Sequence, residues 1–214
     1  MYKRLLLSLL VMLNCYPLQK ITDKLKKLYI DQGQELSGFG IPAEEITTIN
    51  QQGGNATYGE ILPDSLETIL KDLKLSKKDI FYDLGSGAGK TVVQVAMTTP
   101  AKAVGIELSP TRVSIARKAL EKLKKEPGKR ASFVEGDITT ANLNDATVIF
   151  TCSTCFSDDL MKKLLDKFLE LKPGLHVISL RQLPQHKRMK LIKEYSLPMT
   201  WSDASPVYLY ELQK

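Results

Sequence analysis

From Pro63 onward the apolar positions alternate between two periods. In "PDSLETILKDLKL" the residues Leu66, Ile69, Leu70 and Leu73 share one face at helical spacing, and Pro63 suits a first turn. "DIFYDLG" is a short, nearly continuous apolar run stopped by glycines, which predicts a buried strand. "KTVVQVAMTT" returns to helical spacing and closes before Pro100. The exchange then repeats with a strand "KAVGIEL" and a helix "SPTRVSIARKALEKLKK", with Ser109 as its N-cap and Pro110 in its first position. Strands "ASFVEG" and "ATVIFT", a helix "SDDLMKKLLDKFLEL", a turn "KPG" and a strand "LHVISL" follow. Two alternating runs, "KLIKEYSLPMTW" and "SPVYLYEL", predict a closing antiparallel hairpin.

Strands that alternate with helices of this length predict an α/β fold: a doubly wound, mostly parallel, Rossmann-like sheet with helices on both faces. Such sheets bind ligands beyond the carboxyl ends of their strands. Asp83, Glu107, Asp137 and Cys152 all fall at predicted strand ends, so acids and glycines collect along one edge.

The chain before this domain reads differently. Residues 20–57 predict one helix, "ITDKLKKLY", followed by runs rich in Gly, Asn and Gln. Residues 1–19 place Lys3 and Arg4 before an apolar run from Leu5 to Leu13, the layout of a signal or anchor segment. The run is short for a membrane span. The expected organisation is therefore a signal-like segment at 1–19, a helix and loop extension at 20–57 and a ligand-binding domain at 58–214.

Composition changes this picture little. With 43% hydrophobic and 25% charged residues in 214, the chain is an ordinary globular protein rather than a disordered one. A net charge of +6 is a mild tilt toward anionic partners, and the basic stretch "KLKKEPGKR" (122–130) reads first as a solvated helix end, with nucleic acid as the alternative. Three cysteines give no disulfide framework. Cys152 and Cys155 form an isolated C-x-x-C, more readily a pair of buried thiols than a metal or redox site, so no metal is expected.

The chemistry concentrates in "DLGSGAGKT", Asp83 to Thr91. A phosphate-binding loop requires a glycine five residues before Gly89, where Leu84 stands, so the loop is too short to wrap phosphates. The dinucleotide fingerprint fails at its third glycine, which is Lys90, and Asp83 before the first glycine would repel a pyrophosphate. The same carboxylate suits a cofactor with a cationic amino group. S-adenosyl-L-methionine gives each of the strand-end acids a task. Gly85 and Gly87 allow close backbone approach, and Asp83 serves the amino-acid end. Glu107 accepts from the ribose hydroxyls and Asp137 from the adenine amino group.

Together with "TYGEI", "FYDLGSGAGKTVVQVA", "VGIEL", "EGDI", "TVIF" and a late "TWSDASPVYLYEL", these residues resemble the DOT1-like lysine methyltransferases over roughly residues 55–212. The resemblance implies a class I methyltransferase that uses S-adenosyl-L-methionine to methylate a protein lysine, a histone lysine in the well-known members. It implies that Tyr58, Gly59 and Glu60 lid the methionine end of the cofactor. Asp83, Gly85, Ser86, Gly87, Gly89 and Lys90, then Glu107, Leu108, Asp137, Ile138 and Cys152, would line the cofactor. Phe156 and Trp201 would wall the lysine channel, with Tyr58 and Glu60 beside the reacting centre. Cys152-Ser153-Thr154 departs from the Asn-Asn-Phe of the family, and the family tyrosine of the last strand has three counterparts, Tyr208, Leu209 or Tyr210. A small molecule or RNA remains the alternative acceptor, and a cofactor-binding module without turnover is the third reading.

Overall fold

The computed structural model describes residues 21–51, 53–123 and 126–214. The expected signal-like segment at 1–19 lies outside the described residues. Among the described residues, no helix is long and apolar enough to cross a membrane.

The main sheet has seven strands: β3 (Ile80–Leu84), β4 (Lys102–Glu107), β5 (Ala131–Glu135), β6 (Val148–Thr151), β7 (His176–Ser179), β8 (Met189–Met199) and β9 (Ser202–Leu212). Their spatial order is β5-β4-β3-β6-β7-β9-β8. The first five in that order run parallel, whereas β9 is antiparallel to both β7 and β8. The order reverses beside β3, which pairs with β4 on one side and β6 on the other, so the end of β3 is the switch point where a crevice forms.

Side-chain alternation divides the core between the two faces. Phe81, Val148, Phe150, Ile178 and Leu209 point into one apolar cluster with α3 (Pro63–Leu73) and α4 (Lys90–Thr98). Tyr82, Leu84, Ile149 and Val177 point into the other, covered by α7 (Asp158–Leu169) through Leu160, Leu164 and Phe168. Helix α5 (Pro110–Lys122) starts as its sequence requires: the Ser109 hydroxyl accepts the Arg112 amide at 3.1 Å, with Pro110 in the first turn. Ser157 caps α7 in the same way by accepting from Leu160.

The extension folds onto this domain. Its helix α1 covers 21–28 among the described residues, and Leu25 joins the first core cluster. A two-residue hairpin, β1 (Ile30–Asp31) with β2 (Gln34–Glu35), leads to α2 (Ala43–Gln51). Helix α2 carried no helical signal because only Ile49 is buried, and polar Thr47 and Thr48 return their hydroxyls to the Ala43 and Glu44 carbonyls. A short α6 (Glu126–Lys129) precedes β5. The basic stretch is partly structural: Lys122 donates to the Ile30 carbonyl, and Arg130 donates to the carbonyls of Ala96 and Thr99.

Candidate functional site

The sharp turn after β3 is held by backbone bonds from Gly85 and Ser86 to the Ile106 carbonyl at 2.9 and 3.0 Å. Gly85 and Gly87 adopt φ of 80° and 53°, which side chains rarely tolerate, and a Cβ on Gly87 would sit 2.4 Å from the Tyr58 ring. The loop lies open toward a cleft of about 320 Å³ and feeds directly into α4.

Acidic groups from two successive strands meet there. Asp83 is 2% exposed, and its Oδ1 has no hydrogen-bond partner. Burial, reinforced by the neighbouring Glu107 charge, pushes its carboxyl up to about 8, against a smaller opposing hydrogen bond from Thr91. Glu107 ends β4 and is also buried, but its oxygens are occupied: Oε2 accepts the Gly87 amide at 2.8 Å and Oε1 the Ser109 amide at 3.0 Å. The acid read as a ribose acceptor thus also braces the glycine loop. Asp137 turns its Oδ1 toward the backbone and hydroxyl of Thr139.

A lid closes one side of the cleft. Tyr58 donates to Glu60 Oε1 at 2.5 Å and accepts the Ala88 amide at 3.3 Å. Burial, followed by the Glu60 charge, holds the Tyr58 phenol far above its ordinary range. Glu60 Oε2 accepts from Lys90 at 2.9 Å, so Lys90 is committed to the lid rather than pointing freely at a ligand. Gly59 lies flat against Trp201, since a Cβ there would fall 2.5 Å from the indole. Trp201 is 43% exposed and forms part of the rim. Across the cleft, Cys152 directs its Sγ to the Gly59 carbonyl at 3.9 Å, and burial pushes its thiol up to about 12. Cys155 is exposed, contrary to the expected pair of buried thiols, because β6 ends at Thr151 and Cys155 lies in the helical turn that follows; among the described residues no cluster of His, Cys, Asp or Glu is arranged to hold a metal.

Of the residues expected from sequence, Tyr58, Glu60, Asp83, Gly85, Ser86, Gly87, Lys90, Glu107, Leu108, Asp137, Ile138, Cys152, Phe156 and Trp201 line this one cleft. Gly89 is the exception. A Cβ on it would strike Phe133 and Ala116, so it faces the core and serves as the left-handed N-cap of α4. None of the three counterparts of the family tyrosine lines the cleft: Leu209 is in the core, and Tyr210 accepts the Leu183 amide on the opposite side. Ser153, in the departing segment, is buried and shares a hydrogen bond with Ser179, so this turn is fixed by polar contacts of its own.

Sequence reasoning missed the extension's share of the site. Ile49, Gly54, Asn55 and Thr57 line the cleft, as does Arg112 from the first turn of α5. A signal for Arg112 existed, since a cation is poorly placed at a helix N-terminus unless a tertiary contact uses it.

Comparison with known proteins bears on the family and the fold. The chain is 25% identical over 184 residues to the histone-lysine N-methyltransferase, H3 lysine-79 specific, of Aspergillus fumigatus, covering 74% of this chain and 37% of that protein. It is 35% identical over 113 residues to a protein-lysine N-methyltransferase of Saccharolobus islandicus, 52% of this chain and 67% of the relative. The chain spans only about a third of the length of the fungal relatives it matches. Among solved structures it is similar to an RNA methyltransferase from Salinibacter ruber in complex with S-adenosyl-L-homocysteine, with a TM-score of 0.56 and 25% identity over 70% of this chain and 90% of that one. The Rossmann-like fold with its closing antiparallel hairpin is that of class I methyltransferases. The model of the family described as histone methylation protein DOT1 matches residues 42–202, and the chain belongs to that family.

Proposed function

We propose that this protein is an S-adenosyl-L-methionine-dependent methyltransferase whose acceptor is a protein lysine, with histone lysines the first to be tested. The observation that carries the cofactor in this reading is Asp83: a fully buried carboxyl with an unpartnered oxygen, in a cleft whose other walls are largely apolar. A buried acid without a cation is costly. A ligand that brings an ammonium group relieves that cost, and a nucleotide triphosphate or pyrophosphate does not. The glycine loop, stripped of side chains at Gly85 and Gly87, fits the same group by close backbone approach.

The division of labour follows from position. Asp83 would hold the cationic amino-acid end. Glu107, which keeps lone pairs beyond those it gives to Gly87 and Ser109, would accept from the ribose, while Asp137, Ile138 and Leu108 would flank the adenine. Bound S-adenosyl-L-methionine supplies an electrophilic methyl group on a sulfonium. The protein contributes alignment and exclusion of water. Tyr58 and Glu60, locked to each other and held through Glu60 to Lys90, form a rigid cover. Phe156, Trp201 and Cys152 line the approach. An amine entering between these walls loses solvation, which favours the neutral, nucleophilic form over ammonium.

Names of the relatives support a protein acceptor. RNA is the second reading, supported by the likeness to an RNA methyltransferase across nine-tenths of that chain. The deciding experiment offers nucleosomes, free histones, total cell protein and RNA to the full chain with radiolabelled S-adenosyl-L-methionine, with Glu107→Ala as control. Label on a protein lysine, lost in the control, supports the proposal. Label on RNA alone overturns the choice of acceptor.

The charged and apolar pattern of residues 1–19 supports a targeting or anchor segment separate from catalysis. Its deletion is expected to leave cofactor affinity unchanged. A large loss would show that it belongs to the catalytic fold.

A further inference from the structure

Arg112 is 4% exposed, yet it is surrounded by groups that belong to different parts of the site. Its Nε donates to the Gly38 carbonyl at 2.9 Å and its Nη2 to the Ala56 carbonyl at 2.7 Å. Its guanidinium lies 4.8 Å from the centre of the Tyr58 ring, and Nη1 stands 3.9 Å from Glu107 Oε1. The Tyr58 ring is hemmed in on other sides as well: a Cβ on Gly38 would come within 2.4 Å of it, and Phe39 packs edge-on at 4.9 Å.

Gly38 and Ala56 bracket the segment that contains α2 and leads directly into the lid. One guanidinium therefore ties both ends of that segment and stacks on the lid's own aromatic ring. The same group pairs with the acid that holds Gly87. Glu45 of α2 docks on the same helix start by accepting from Ser109 and Thr111, so the segment is anchored independently at a second point and does not need Arg112 merely to stay attached.

We propose that Arg112 is a positioning residue that couples the lid to the cofactor-binding acid, holding Tyr58 over the glycine loop in register with Glu107. This inference rests on the cofactor reading given above. Filling the cleft at Glu107 and ordering residues 38–51 and 53–58 are then one event. Arginine suits the requirement because its rigid planar fork reaches two carbonyls in fixed directions while its face lies on Tyr58; a lysine ammonium is a point charge that cannot span the same three partners from one position.

The test uses the full chain, S-adenosyl-L-homocysteine as the probe, and Arg112→Lys, Tyr58→Leu and the double variant. Calorimetry gives the affinities. The emission of Trp201, the single tryptophan of the sequence, reports the lid through its contact with Gly59. Arg112→Lys is expected to weaken binding about tenfold, a loss typical of a buried charge-assisted bond. It should also remove the change in Trp201 emission on binding. The double variant should bind no worse than the weaker single variant, because both remove the same coupling. Additive losses, or an unchanged emission response in Arg112→Lys, would overturn the proposal. Amide exchange on the wild type decides the matter even if Arg112→Lys fails to fold: the probe must protect residues 38–51 and 53–58 together with the glycine loop, and protection of the loop alone overturns the coupling. A wild type that does not bind the probe at all overturns the cofactor reading and this inference with it. Wild-type binding that Arg112→Lys matches overturns only the inference.

Discussion

The Glu107 carboxylate accepts the Gly87 amide at 2.8 Å, so the acid that ends β4 holds the loop that leaves β3. Twenty residues apart in sequence, the two meet because β3 and β4 are parallel neighbours with Leu84 opposite Ile106. A group available to a ligand is therefore also part of the site's frame.

Glu107→Ala consequently removes more than one contact. It leaves the Gly87 amide unpaired and Arg112 without its carboxylate. Hydrogen bonds to charged groups contribute about 1.5–3 kcal/mol each. S-adenosyl-L-homocysteine affinity should fall roughly a hundredfold, about 2.7 kcal/mol, with a measurable drop in melting temperature. Glu107→Gln, which keeps one carbonyl acceptor, should fall between the wild type and Glu107→Ala in both calorimetry and thermal melts.

Asp83 makes the free protein pH-sensitive. Its carboxyl is pushed up to about 8 by burial and by Glu107, whereas an unfolded aspartate titrates near 3.8. The folded state thus holds the proton more tightly. Its contribution to stability is complete below about pH 4 and is lost as pH rises through about 8. Asp83→Asn should flatten that part of the melting-temperature profile. Binding of a cationic ligand needs the carboxylate, so wild-type affinity for S-adenosyl-L-methionine should rise with pH toward about 8, and in Asp83→Asn it should be weak throughout.

Glu60 is balanced by Tyr58 and Lys90 at the edge of the cleft. Lys90→Met leaves a partly buried carboxylate with one donor fewer, and destabilisation of about 1–3 kcal/mol is expected. Adding Glu60→Gln should recover part of that loss, because the unpaired charge disappears. Chemical denaturation of the single and double variants checks the sign. A double variant less stable than Lys90→Met would show that the ion pair is not what matters there.

Gly59→Ala places a methyl group where the Trp201 ring lies. Trp201 is partly exposed and can swing outward, so the change in stability should stay within about 1 kcal/mol. Rotation of the indole into water should shift Trp201 emission to the red. The rate at low acceptor concentration should fall through a higher KM for the acceptor, with cofactor affinity little changed.

The alternating periods specified the α/β order and the helix starts at Pro63 and Ser109, because local propensity and capping are properties of adjacent residues. The glycine loop and the strand-end acids were legible for a related reason: in a parallel sheet every strand delivers its last residue to the same edge. Tertiary structure alone decided how those residues are used. Gly89 turned to the core, since only packing shows that its missing Cβ makes room for Phe133 rather than for a ligand. Helix α2 could not be read because its polar faces carry no apolar stripe, and its place is set by Glu45 at the start of a helix more than sixty residues away. Arg112 is the clearest case. One residue in an ordinary amphipathic helix joins Gly38, Ala56, Tyr58 and Glu107, and no periodicity encodes that meeting, because it exists only once the extension has folded back over the sheet.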